Sequence, residues 1–397
     1  MLTGALVVSS GMARAKEPPA AAVVNRAALV ALTARAKETG SDSVIVYHNG
    51  EELLDYHSSK PAEPIYLMSA TKSVVALVIG VAIAEGKIKS IDEPVYDFFP
   101  ELKQGRKKLL TIRQVLSMTT GLQHIGLGAE IYATPDSVKM ALAAELQTTP
   151  GAAFSYNNKS VNLLAGIVRI ATGEPLDTYA DEKLFDPMGF GMWRWEHDNS
   201  GTPNAFADLA LLPKDFAKIG LLVIHRGQWQ GKQLVPESWI DQLGLQSQPY
   251  EPLYGLLWWR LSDHATGIVS RKHLDDLLAG GVDPKLIARL RPLVGMPVHS
   301  LSEWHRLLSA AVPDWEARTT IPGLIGPYGD DIPTWRYDSF DGLAAEGSYG
   351  QYLVVFPKLG LVAVRQIEPF DDFKFMQNRF EDFPDMVRRL LSDEATR

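Results

Sequence analysis

Cysteine does not occur among the 397 residues of this chain. Its absence removes disulfide staples, thiolate nucleophiles and metal sites built on sulfur, and it leaves the compartment open, since oxidising and reducing surroundings both tolerate a Cys-free chain. Histidine is sparse: the nine residues are scattered, with no H-E-x-x-H or comparable pair, so no metal site is expected. No G-x-S-x-G marks a nucleophile elbow, and no P-loop or G-x-G-x-x-G follows a strand, so no cofactor is expected. No run of eighteen apolar residues marks a membrane span. Positive charge is also short: 39 Lys and Arg against 47 Asp and Glu give a net charge of −8. That balance argues against a nucleic-acid partner, because phosphates call for a basic surface.

What is present is the composition of an ordinary globular enzyme, 46% hydrophobic and 22% charged, enough for a large core. At the start, Leu2 to Val8 is apolar and Ala13-Arg14-Ala15 before Lys16 has the small-x-small form of a signal-peptidase site, without a basic n-region. Either residues 1–15 are a partial signal peptide of a periplasmic or secreted protein, or the likeness is chance and the protein is cytoplasmic; export is the favoured expectation.

Residues 19–37 are Ala-rich and alternately apolar, which predicts a helix stopped by Gly40. The β-branched run Ser43 to His48, Asn49-Gly50 and Glu51 to His57 predicts a hairpin, and Tyr349 to Phe356 with Leu361 to Ile367 predicts a second. A closing amphipathic helix is expected over about 383–391. Strands at both chain ends with helices between them imply one antiparallel sheet assembled from distant parts of the sequence, an α/β class of the α+β type. The domain reading follows: 16–68 and 246–397 form the sheet-bearing lobe, 69–245 an all-helical lobe, and about 263–334 an insertion near the cleft, all one catalytic unit.

Ser69-Ala70-Thr71-Lys72 is the only S-x-x-K of the chain and opens a long apolar helical run. Serine and lysine three apart on one helix share a face, so the amine can reach the hydroxyl it must activate. Tyr156-x-Asn158 leads into a second apolar helix that ends at Gly173. A phenol acts as a base only where a neighbouring cation stabilises its anion; Lys72 can supply that charge and Asn158 can hold Lys72 without competing for protons.

Taken together, Tyr66 to Ser73, Ile91-Asp92-Glu93-Pro94-Val95, Phe99-Pro100-Glu101-Leu102, Thr111 to Leu122, and Pro150-Gly151 with Tyr156-Asn157-Asn158 resemble the penicillin-recognising serine hydrolases. Within them the match is to the group of class C β-lactamases, D-alanyl-D-alanine carboxypeptidases, family VIII esterases and 6-aminohexanoate-dimer hydrolase, over about residues 40–245 and 340–370. The resemblance implies a β-lactamase/transpeptidase-like fold, with an antiparallel sheet flanked by terminal helices beside a helical lobe. It also implies a serine acyl-enzyme with Ser69, Lys72 and Tyr156 as its catalytic set. The third motif of the group, Lys-Thr-Gly, is missing. In its place, Gly347-Ser348-Tyr349-Gly350-Gln351 resembles the Gly-x-x-Gly-Gln strand of the aminohexanoate-dimer hydrolase branch. By that resemblance the backbone N–H groups of Ser69 and Ser348 form the oxyanion hole, with Gly347 supporting it. Lys-Thr-Gly binds the carboxylate of penicillins and peptide C-termini, so its absence shifts the expected substrate toward plain amides or esters. Which of Lys72 and Tyr156 takes the first proton stays open, because the two titrate together.

Other candidates are looser. His124 can face the cleft or be merely solvated, and Trp258-Trp259 can line a substrate pocket or belong to the core. The insertion is either surface decoration or a lid, in which case Asp330 or Asp331 can hold an amine-bearing substrate. The expected partner is a small-molecule amide or ester, with the chain a monomer or homodimer. Two further readings remain beside the amide or ester hydrolase: a D-Ala carboxypeptidase or β-lactamase, and a non-catalytic recognition module that keeps only the fold.

Overall fold

The computed structural model describes residues 23–59, 63–125, 128–314 and 333–392. Its frame is a six-stranded antiparallel sheet of β1 (Ser43–His48), β2 (Glu51–His57), β3 (Trp259–Leu261), β4 (Gly342–Gly347), β5 (Gln351–Phe356) and β6 (Leu361–Gln366), in the order β2-β1-β6-β5-β4-β3. The first hairpin turns as its Asn-Gly dictates, with both residues left-handed at φ of 51° and 84°. Every residue of β5 and β6 is buried. These strands are apolar on both faces because both faces are covered.

The covers come from opposite ends of the chain. Helices α1 (Arg26–Glu38) and α5 (Phe383–Arg388) pack together on one face, where Phe383 stacks on Tyr352 at 5.7 Å. The other face receives α4 (Pro213–Ile224), which comes close because Gly220 has no side chain: a Cβ there would stand 2.5 Å from Val362 and 2.7 Å from Leu353. Residues 69–245 were expected to be all-helical and to pack as a separate lobe. Instead α4 lies on the sheet, and the segment also holds a hairpin, Gln228–Trp229 with Lys232–Gln233, and two strands of a small sheet, Ile65–Tyr66, Leu209–Leu211 and Trp193–Trp195. Strands of two or three residues are too short to show a period in the sequence, and their partners here lie more than a hundred positions apart for Ile65 and Leu211.

Helix α2 (Thr71–Ala84) runs through the centre, with every residue from Thr71 to Ala82 buried. It is apolar all round because it has no solvent face. Helix α3 (Leu163–Thr172) packs against it and ends, as its sequence predicts, on Gly173 in the left-handed conformation. One hydrophobic core runs through sheet and helices alike.

Between β3 and β4 the chain builds a second unit. Strands His264–Ile268, Pro297–Val298 and Thr334–Ser339 form a three-stranded sheet, packed with helices Arg271–Ala279, Pro284–Leu290 and Leu301–Ala311. It has its own core around Trp304, Leu274, Ile287 and Leu308, separate from the main one. Among the described residues no helix is long and apolar enough to cross a membrane.

The placement of α2 depends on Gly80, over which Trp239 lies flat and donates its indole N–H to the Ala76 carbonyl at 2.9 Å. A Cβ at Gly80 would fall 2.2 Å from the indole. Gly80→Ala is expected to lower stability by about 1–3 kcal/mol, the usual cost of overpacking, in urea unfolding followed by fluorescence; an unchanged midpoint would show that Trp239 can move aside freely.

Candidate active site

Ser69 lies in a single 3-10 turn, Met68–Ala70, that leads into α2. The small sheet fixes this turn from outside: the Leu67 N–H donates to the Leu209 carbonyl at 2.8 Å, and the Leu209 N–H to the Thr71 hydroxyl at 3.2 Å. From inside, the Ser73 hydroxyl donates to the Leu257 carbonyl at 2.7 Å. Met68 takes a φ of +50°, unusual for a side-chain-bearing residue, immediately before the serine.

Lys72, one turn along, is completely buried. Its Nζ stands 2.9 Å from Ser69 Oγ and 2.7 Å from the Phe206 carbonyl. Desolvation holds its pKa well below the ordinary lysine value, and the nearby Asp208 carboxylate pulls only partly the other way. Asp208 is itself buried, which raises its pKa, against hydrogen bonds from Tyr132 at 2.9 and 3.0 Å and from Asn204 at 2.8 Å that favour its charged form. Phe206 and Asp208 carry no motif and went unnoticed in the sequence. The only local hint is a non-glycine residue with positive φ, Asp208 at 70°, which no sequence displays.

Tyr156 arrives on the loop after Pro150. That loop is laced to Thr119–Leu122: the Gly151 N–H donates to the Thr119 carbonyl at 2.7 Å, Ser155 N–H to Met118 at 2.8 Å, and the Asn157 side chain to Leu122 at 2.7 Å. Gly121, with φ +70°, is required there because a Cβ would stand 2.5 Å from the Thr148 carbonyl. Tyr156 is half-buried and hydrogen-bonded to Ser69, and Lys72 Nζ lies 4.9 Å from the centre of its ring. Burial raises the phenol above its ordinary pKa, against the smaller pull of the Ser69 hydrogen bond. The expected phenolate stabilised by Lys72 meets desolvation on both sides, which raises the phenol and lowers the lysine and so works against the charged form of each.

The end of β4 closes the other side. A Cβ on Gly347 would lie 2.1 Å from the Leu67 carbonyl and 3.0 Å from Met68 Cβ, so the bare glycine lets the strand press onto the turn that carries Ser69. Ser348 follows, exposed, in a turn where Tyr349 has φ +67° and Gly350 φ +85°. Arg365 ties that turn down from below. It is fully buried and donates to the carbonyls of Tyr349 at 2.8 Å, Gly350 at 2.7 Å and Asn378 at 2.6 Å, and to the Ser41 hydroxyl at 2.8 Å. Burial lowers its pKa to about 10. Its one sequence signal is an arginine directly after the apolar run Leu361 to Val364.

The remaining candidates separate. Trp259 stacks on Tyr156 with ring centres 6.2 Å apart and 14° between planes. Trp258, by contrast, is fully buried and donates its indole N–H to the Ser73 carbonyl at 3.1 Å, so it packs α2 and does not line a pocket. His124 is half-buried and bonded to Ser155 at 2.8 Å, next to Tyr156 in sequence. Asn158 is buried and opens the short helix Asn158–Val161, which Asn157 caps. Asp330 and Asp331 lie outside the described residues.

A β-lactamase family model matches residues 27–206. The 6-aminohexanoate-dimer hydrolase of Paenarthrobacter ureafaciens is 25% identical over 374 residues, spanning 78% of this chain and 88% of that one. Among solved structures, a penicillin-binding protein homologue from Caulobacter crescentus superposes with a TM-score of 0.60 at 14% identity, over 92% of this chain and 97% of its own. A family VIII carboxylesterase does so with 0.59 at 17% identity, over 92% and 96%. The likeness of fold covers 92% of the chain, well beyond the segment that the family model matches. Residues 27–206 thus match the β-lactamase family, and these likenesses are consistent with the penicillin-recognising serine hydrolase superfamily.

Proposed function

We propose that the protein hydrolyses an amide or ester through an acyl-enzyme on Ser69. The observation that carries this reading is the buried, desolvated Lys72 amine 2.9 Å from Ser69 Oγ. A lysine whose pKa is held well below the ordinary value offers its neutral amine more readily, as general base catalysis requires. Ser69 Oγ attacks the carbonyl carbon while its proton passes to Lys72 Nζ. The backbone N–H groups of Ser69 and Ser348, brought together by the Gly347 contact, receive the oxyanion, an effect worth about 3 kcal/mol per donor. Collapse of the tetrahedral intermediate breaks the bond to the leaving group, which takes a proton from Tyr156, and Lys72 restores the phenol. Water then attacks the ester with the same groups in reverse. Tyr156 serves as a neutral donor and relay, consistent with its raised pKa.

The substrate of this reading is a non-lactam amide or ester. The place of Lys-Thr-Gly is taken by Ala345-Glu346-Gly347, so the lysine that would meet a substrate carboxylate is replaced by alanine, with an acid next to it. The relatives named as an amide hydrolase and a carboxylesterase favour the same ranking over a β-lactamase or a carboxypeptidase.

With p-nitrophenyl esters, a linear aminohexanoate dimer and a chromogenic cephalosporin, wild type is expected to turn over members of the first two classes faster than the third. Ser69→Ala is expected to abolish turnover, and intact-protein mass spectrometry of a slow ester should place the acyl group on the Ser69 peptide. Turnover that survives Ser69→Ala would sink the mechanism, and rapid cephalosporin hydrolysis would reverse the substrate ranking.

The lysine makes a separate stability prediction. Its folded pKa lies below its unfolded one, so the unfolded chain binds a proton that the folded chain refuses, and this cost is full below the folded pKa and vanishes as pH rises to the ordinary lysine value. Lys72→Met is therefore expected to gain most in stability, relative to wild type, at neutral and mildly acidic pH and to lose that relative gain toward about pH 10. Denaturation midpoints across pH measure it; a difference that does not vary with pH would show that Lys72 is charged when buried.

A further inference from the structure

A cavity of about 200 Å³ opens beside the reactive centre, between the edge strand β3, the inserted unit and the segment leading into α5. Trp259 belongs both to its wall and to the stack on Tyr156. Glu346 belongs to it too, one residue before Gly347-Ser348, and the Glu346 charge reaches the Tyr156 phenol. The inserted unit contributes Trp335 and Tyr337, stacked with ring centres 6.4 Å apart and 14° between planes.

The charges of the wall do not cancel at the cavity surface. Of its three arginines, Arg388 is committed to Asp341 at 2.7 Å and Asp385 at 2.7 Å, and Arg379 to Glu381 at 3.4 Å. Arg260 lies over the Phe340 ring and donates to the Gly244 and Pro252 carbonyls at 3.0 and 2.5 Å. Glu381 is further bonded to His305. Two carboxylates are left over: among the described residues no ion pair reaches Glu346 or Glu251. Both have pKa values raised by burial; at Glu346 the charge of Arg379 works against that rise and the charge of Glu381 with it. A carboxylate without an ion pair in a cavity walled by indole and phenol rings is the recognition chemistry of an organic cation, which gains from the charge and from the ring quadrupoles together.

We propose that this cavity is the subsite for a cationic group of the substrate, an ammonium or trimethylammonium, with Glu346 as its counter-charge and Trp259, Trp335 and Tyr337 as its cage. The inference rests on the hydrolase reading above and adds the class of substrate to it. The inserted unit then contributes to specificity by supplying two of the three rings.

The test uses ester pairs that differ only in a trimethylammonium against a tert-butyl terminus, one pair with the difference on the acyl arm and one on the alcohol arm. In at least one pair the cationic member is expected to be favoured about tenfold or more in kcat/KM, the range of a desolvated cation–π contact with a counter-charge. That ratio is expected to collapse toward one in Glu346→Gln and to fall in Trp335→Leu, the second variant guarding against a misfolded first. A ratio near one for both pairs in wild type, or a ratio that survives both substitutions, overturns the proposal. If no ester is turned over at all, the hydrolase reading fails by itself. The subsite is then judged by binding of benzyltrimethylammonium, followed by tryptophan fluorescence: binding that Glu346→Gln abolishes sustains it, and no binding overturns it.

Discussion

Burying an amine without a carboxylate against it is the constraint around which this molecule is arranged. Lys72 sits in the most apolar helix of the chain, and its amine is met by a hydroxyl and a main-chain carbonyl, not by a counter-ion. A charged ammonium there would cost several kcal/mol, so the group gives up its proton more readily. Keeping Lys72 in that place requires the Phe206 carbonyl to be held still. This explains why the loop Asn204 to Asp208 is itself buried and pinned by Trp195 through the Asn204 carbonyl at 2.9 Å.

The second constraint is contact between main chains. Gly347 allows β4 to touch the turn before Ser69, and Arg365 binds the carbonyls of the next turn with a fan of donors while the Asp42 charge favours its cation. Both turns contain a side-chain-bearing residue at positive φ, Met68 and Tyr349. Such conformations cost on the order of 1–3 kcal/mol each and persist where surrounding packing leaves no alternative. The sheet and α2 thus hold each other in a geometry that neither would adopt alone.

Much of this was legible before any coordinates. Both hairpins, the buried helix after Ser69 and the nearness of Ser69 and Lys72 follow from period, turn residues and spacing, because each is encoded within a short stretch, whereas Tyr156 joined them through the resemblance of the motifs. What escaped has a common physical cause. Phe206 acts through its carbonyl, which every residue possesses, and Arg365 through distance to a turn fifteen residues earlier. The strands Trp193–Trp195 and Leu209–Leu211 are too short to have a period, and α4 is amphipathic in a way that suits either lobe. The opposing effect of burial on the Tyr156 phenol could not be read, because charge pairing is visible in a sequence and desolvation is not. Trp258 and Trp259 were inseparable as a dipeptide, yet one fills the core and its neighbour faces the tyrosine.

The inserted unit keeps a core apart from the main one. Changes among Leu274, Ile287 or Trp304 are therefore felt within that unit rather than through the packing around α2, where the amine and hydroxyl stand 2.9 Å apart. If the proposals above hold, chemistry and selectivity lie in two compartments that meet at the cavity wall and at the His305–Glu381 contact. A lineage carrying this fold can revise what it accepts by rewriting the smaller compartment, one tolerable substitution at a time, while the apparatus that breaks the bond stays as it is.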